Sequence, residues 1–364
     1  MQLIDFFSTS YAHARERFLH AASKRTARIK SWTLSGRVGL HGEALATDAA
    51  FIGNPDSDSV IVVSSGVHGI EGYAGSGCQV ALLRDDALLR NLDAQGKAML
   101  LVHAVNPFGF SFGRRTNEDN VDLNRNFVDF SAALPSNPDY ASVHPLMLPA
   151  IWPPAPPDVG ALHAYQSRHG MTAFQRALSS GQHSHPDGLF FGGTQPSWSR
   201  LTLDEVLDTF VSSRRRAIWI DIHTGLGPHG FGQKILIGDR STAATGDPVV
   251  RARAIWGADV VSLAQGQSVS SPVTGAACGL LQAMYPEMDS ISLAVEFGTL
   301  PMHDTIDALR FDQWIYRCMG GRHDEGTAAP AREAMKAAFN PDSDGWRGMV
   351  WGQMRAVLEQ AVAT

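Results

Sequence analysis

Two histidines and two glutamates stand where apolar runs give way to glycine. Val60–Val63 leads into His68-Gly69-Ile70-Glu71-Gly72, Ala217–Ile222 into His223-Thr224-Gly225, and Ile291–Val295 into Glu296-Phe297-Gly298-Thr299. Two imidazoles and one carboxylate make the nitrogen-nitrogen-oxygen set that suits catalytic zinc, with a fourth position left for water. The spacing His68-x-x-Glu71, eased by Gly66, Gly69 and Gly72, lets one tight turn aim both side chains at one ion. Taken singly, each residue has a structural account: His68 as a loop histidine bonded to backbone, His223 as a core-edge histidine. Glu296 resists one, because an unpaired carboxylate at the end of a buried strand is costly.

The elements that must position these groups follow from the same runs. Val60–Val63, then a helical stretch carrying Cys78 and Val80–Leu83, then Ala98–Val102 closed by Asn106-Pro107, form a strand-helix-strand unit of a mainly parallel sheet. In such sheets ligands bind beyond the carboxyl ends of the strands, so the three polar termini are expected to converge on one crevice. Phe6 to Ala22 predicts an N-terminal helix, and Trp346 to Ala361 a C-terminal one. Leu134–Pro157, rich in proline, is expected to be an irregular surface excursion, an insertion around residues 131–160. With no internal repeat and no long linker, residues 1–364 are expected to form a single α/β domain with a mixed, mainly parallel twisted sheet flanked by helices.

Composition narrows the partners. A net charge of −6 and a pI near 6.1 argue against nucleic acid or an anionic membrane, either of which calls for clustered basic surface. The Arg214-Arg215-Arg216 run precedes an apolar strand and is expected to be solvated. No stretch approaches the ~20 apolar residues of a membrane span, and the N-terminus lacks a basic segment of the secretory kind. Three separated cysteines suit a reducing compartment, so a cytoplasmic address is expected. Oligomeric state is not legible.

A second group of motifs gives these residues context. Asn106-Pro107-Phe108-Gly109 precedes Arg115-Thr116-Asn117 and Val121-Asp122-Leu123-Asn124-Arg125-Asn126-Phe127, and 73 residues separate His223 from Glu296. In this order the sequence resembles the zinc carboxypeptidase (carboxypeptidase A-like) metallopeptidase family over most of Val60–Thr299. It looks most like a poorly characterised intracellular bacterial-type branch sharing H-G-x-E-G and R-x-N-E-D-N-V-D-L-N-R-N-F, and is related to the aspartoacylase/succinylglutamate desuccinylase branch.

The resemblance implies His68, Glu71 and His223 as ligands of one Zn2+, whose bound water would have its pKa lowered toward ~7. It implies Glu296 as general base and then proton donor, and Arg115 as the group that stabilises the oxyanion, with Arg114 the alternative if the alignment shifts by one. Removing such a donor typically costs ~3 kcal/mol of barrier. Asn124 and Arg125 would hold a substrate carboxylate, the guanidinium bidentately. Asp122 would accept a hydrogen bond from a zinc-bound histidine. The family's tyrosine between the second histidine and the catalytic glutamate has one counterpart here, Tyr285, 11 residues before Glu296. The implied activity is hydrolysis of an amide near a carboxylate, as a metallocarboxypeptidase of peptides. The alternatives are an N-acyl amino acid deacylase and a zinc-binding module without catalysis.

Overall fold

A computed structural model describes residues 3–238, 246–266, 268–321 and 326–364. Among them, eight strands form one sheet: β1 (Arg28–Val38), β2 (Ala44–Gly53), β3 (Ser59–Ser65), β4 (Ala98–His103), β5 (Arg216–Gly225), β6 (Gly232–Ile237), β7 (Val261–Ser262) and β8 (Asp289–Gly298). Their order is β1-β2-β4-β3-β5-β8-β6-β7. The central four, β4-β3-β5-β8, run parallel. β2 and β6 flank them antiparallel. The sheet is therefore mixed and mostly parallel, as the sequence led us to expect.

Alternation along the central strands divides the core. Ile61, Val63, Ile218, Ile220, Leu293 and Val295 face a cluster completed by the helices Tyr11–Lys24, Gly72–Leu83 and Asp344–Ala363. Val60, Val62 and Trp219 face the other cluster, under the helix Trp198–Phe210. Residues two apart share a face, so Ser64, Asp221, His223, Ala294 and Glu296 all lie on this second side, toward the strand ends.

Chain order reverses at β3, which has β4 on one side and β5 on the other. That reversal opens a crevice beyond the carboxyl ends. β3 stops at Gly66, whose φ of +66° turns the chain sharply into the His68 loop.

The proline-rich stretch departs from expectation. Tyr140–Met147 and Pro156–His169 are helices, followed by Met171–Ser179. Pro156 and Pro157 stand in the first turn of their helix, where a missing N–H costs nothing and a fixed φ helps. No described helix is long and apolar enough to cross a membrane.

Candidate metal centre and its surroundings

The His68 loop is anchored through its backbone. Gly69 N–H donates to the Arg115 carbonyl (3.2 Å) and Ile70 N–H to that of Arg114 (2.8 Å). A side chain at Gly69 would place its Cβ 2.0 Å from the Gly109 carbonyl carbon, so only glycine permits this approach. The Asn106-Pro107 turn supports the same point: Asn106 accepts from Gly109 N–H (2.8 Å) and donates to the Arg115 carbonyl (3.2 Å). Glycines and turn residues thus place His68, Glu71 and Arg115 together.

His68 Nδ1 lies 2.8 Å from Glu71 Oε1, and His223 Nδ1 lies 2.9 Å from Glu71 Oε2. All three residues are buried, and their potential ligand atoms lie within 4.8 Å of one another. Each imidazole has a carboxylate at its far nitrogen. His223 Nε2 donates to Asp221 Oδ2 (2.6 Å), and His68 Nε2 is 3.3 Å from Asp122 Oδ1. With a metal ion taking both Nδ1 atoms, these carboxylates would hold the far nitrogens as Nε2–H and orient the rings.

The cluster fits a divalent cation on its own chemistry. Burial would push the Glu71 carboxyl up, yet His68 and His223 hold it below the ordinary carboxylate range. Burial would likewise drive His223 toward neutrality, but Asp221 and Glu71 keep its pKa well above the usual value. A metal ion held by His68, Glu71 and His223 would supply positive charge to these buried carboxylates.

Glu296 stands beside His223 in register across β5 and β8. Leu226 N–H donates to its Oε1 (3.0 Å), while burial and then the charge of Glu71 raise its pKa. A carboxylate raised in this way is suited to taking and returning a proton.

Arg115 donates from Nε to Asp122 Oδ2 (2.9 Å), and its Nη1 is 3.5 Å from Glu71 Oε1. Asp122 is fully buried and also accepts Asn124 N–H (3.0 Å). Burial would raise its pKa, but Arg115, Arg125 and His68 together keep it far below the usual range. Asn124 accepts Ala277 N–H (2.8 Å). Arg125 donates to the carbonyls of Asn124 (2.9 Å) and Ser179, and burial lowers its guanidinium to about 10.

One cavity is lined by His68, Glu71, His223, Glu296, Arg115, Asn124 and Arg125 together. Arg114 is elsewhere: its Nε donates to Asp312 (2.8 Å), and its guanidinium stacks on Tyr316. Arg115 is therefore the arginine of this pair that reaches the cavity.

Tyr285 is not brought to this place. Its hydroxyl donates to Asp208 (2.7 Å) on the helix Trp198–Phe210, before the amino end of β8. Seven strand residues, roughly 23 Å at ~3.3 Å each, separate that end from Glu296. Expecting this side chain in the site from its order along the chain overlooked that it precedes the strand whose far end carries Glu296.

Asp221 was not singled out from the sequence. Ser64, its register partner in β3, donates to it (2.6 Å) and accepts from Trp219 Nε1 (2.7 Å). A charged residue two positions before His223 in an apolar strand is the signal that marks it, since a buried carboxylate needs partners. Phe190, also in the cavity wall, carries no such signal.

The fold has counterparts among solved structures. Bovine thrombin-activatable fibrinolysis inhibitor, solved with tick carboxypeptidase inhibitor, superposes with a TM-score of 0.51 at 9% identity over 98% of this chain and 96% of its own. Carboxypeptidase A from Helicoverpa armigera gives a TM-score of 0.44 at 13% identity over 91% and 74%. At such identities the likeness is one of fold alone, and His68, Glu71 and His223 form a group that could hold a metal ion. No curated protein matches the sequence. Residues 7–353 match the family described as "Protein of unknown function (DUF2817)", and the chain belongs to that family.

Proposed function

We propose that the protein is a zinc-dependent hydrolase of an amide bond near a substrate carboxylate, acting as a metallocarboxypeptidase. The observation that carries this reading is the pairing of Glu296 with His223 in register, beside a buried His-Glu-His cluster. Zinc held by His68, Glu71 and His223 would supply Lewis acidity toward the scissile carbonyl and acidify water.

The chain's own groups do the rest. Glu296, its pKa raised, takes a proton from water and delivers it to the leaving nitrogen. Arg115 donates to the oxygen on which negative charge develops. Asn124 and Arg125 bind the substrate carboxylate, Arg125 exchanging its Ser179 carbonyl for that anion. Asp122 and Asp221 orient the two histidines. Branch membership follows the same reading: the R-x-N-E-D-N-V-D-L-N-R-N-F segment supports the intracellular bacterial-type branch, and three free cysteines support a cytoplasmic address.

A second reading, deacylation of a small N-acyl amino acid, has its own support. Gln175 donates to the Val269 carbonyl (2.9 Å) and Ser179 to Ser271 (3.2 Å), joining two walls of the cavity and limiting room for a long chain. Assaying zinc-loaded protein side by side on C-terminally free peptides and N-acyl amino acids separates the two. Hydrolysis of peptides that Glu296→Gln abolishes, with zinc retained, supports the first reading. Turnover confined to N-acyl amino acids supports the second, and undiminished turnover by Glu296→Gln removes both.

A further inference from the structure

Phe190 occupies an unfavourable backbone conformation in the wall of the cavity. Its φ is +55°, in the left-handed region that bulky side chains avoid, and it is buried. Such strain persists only where surrounding bonds impose it. Here the Phe190 carbonyl accepts Gln182 N–H (3.1 Å), and the next carbonyl, of Phe191, accepts Asp122 N–H (2.7 Å). Gln182 also donates its side-chain amide to the carbonyls of His185 (2.8 Å) and Leu189 (3.3 Å).

What the conformation achieves is the placement of one aromatic ring under two cations. The guanidinium carbon of Arg115 lies 5.2 Å from the ring centroid and that of Arg125 lies 5.7 Å from it. Like charges in one buried cavity repel, and an aromatic face attracts each of them. Asp122, 2.9 Å from Arg115 and 4.0 Å from Arg125, adds the opposing charge.

We propose that Phe190 is a positioning residue: its ring, fixed by a strained backbone, sets the separation of Arg115 and Arg125 so that both can serve one substrate. This rests on the reading of the site as a zinc hydrolase. The ring itself carries no proton and bonds to no reacting atom; it acts through the arginines. Its loss therefore affects two kinetic parameters, one for each arginine.

The test compares Phe190→Leu, which keeps apolar volume without a π face, with Phe190→Tyr, which keeps the ring. With an N-acetylated dipeptide bearing a free carboxylate as probe, Phe190→Leu is expected to raise KM and lower kcat, each by about tenfold, at unchanged zinc content. Phe190→Tyr is expected to stay within about twofold of the parent on both. Equal kinetics for Leu and the parent, or equal damage from Tyr and Leu, would overturn the proposal.

Two readouts stand apart from catalysis. Arginine side-chain NMR signals of both Arg115 and Arg125 are expected to lose their ring-current displacement in Phe190→Leu and keep it in Phe190→Tyr. If the parent hydrolyses no probe while both signals shift together, the hydrolase reading fails and the placement stands; if neither signal moves, the placement itself fails. Phe190→Gly is expected to melt above Phe190→Ala, since glycine accepts this φ. The reverse order would contradict the strain.

Discussion

Replacing Asp122 with Asn removes one buried negative charge from among three groups that depend on it. Its oxygens lie 2.9 Å from Arg115 Nε, 3.3 Å from His68 Nε2 and 4.0 Å from Arg125 Nη1. Removing one partner of a buried pair typically costs ~3–5 kcal/mol, because the remaining charge is left uncompensated. Asparagine keeps the volume and one acceptor, and Arg115 retains Glu71 at 3.5 Å, so the lower end, ~3 kcal/mol, is expected for the metal-free protein. A domain with ~5–15 kcal/mol of stability tolerates that loss.

The same substitution loosens His68, and carboxylates behind metal-bound histidines are typically worth 10–100-fold in affinity. That is ~1.4–2.7 kcal/mol of zinc-linked stabilisation lost in addition. The sign with pH is fixed: a carboxyl depressed on folding contributes fully above its unfolded pKa and loses that contribution as pH falls. Urea unfolding at pH 7, metal-free and at fixed zinc, together with chelator competition, measures both terms. The gap between parent and Asp122→Asn should widen when zinc is added. A metal-free gap under ~0.5 kcal/mol, or identical chelator midpoints, would show that these groups do not depend on the Asp122 charge.

Two further predictions lie outside the cavity. His103 is buried against Phe18 and Ser76, and burial lowers its pKa to about 4 from 6.5. The unfolded chain takes up this proton first, so stability falls as pH drops from 6.5 toward 4, by up to ~3 kcal/mol. Urea midpoints for His103→Gln should lose that part of the acid slope; parallel curves for the two proteins would count against it. Tyr285→Phe removes a hydrogen bond to Asp208 and is expected to cost ~0.5–1.5 kcal/mol of stability with kcat and KM unchanged. A tenfold fall in kcat would place that hydroxyl in the reaction after all.

The sequence shows the middle of the molecule better than its margins. β3, β5 and β8 are continuous apolar runs because helices cover both faces, and their polar termini stand out by contrast. β1, with an almost wholly exposed pattern, and β6, which begins Gly-Gln-Lys, carry no such signature; their pairing partners define them. Prolines concealed the helices between 140 and 169, since Pro156 and Pro157 start a helix as readily as they interrupt one. In the site, His68, Glu71, Arg115, Asp122, Asn124 and Arg125 sit on two neighbouring loops and could be read as ordered motifs. Asp221 could have been found, because an acidic residue in an apolar strand is expensive. Phe190 could not: its position depends on a backbone torsion and on cations drawn from two other segments.

If His68, Glu71 and His223 hold a zinc ion on which amide hydrolysis depends, turnover must follow metal occupancy. Titrating metal-free protein with zinc while recording hydrolysis of C-terminally free peptides and N-acyl amino acids tests it most directly. Turnover is expected to rise with occupancy and level off at about one zinc per chain, with His68→Ala failing to take up the metal. Turnover independent of zinc, or one equivalent bound as tightly by His68→Ala, would contradict it.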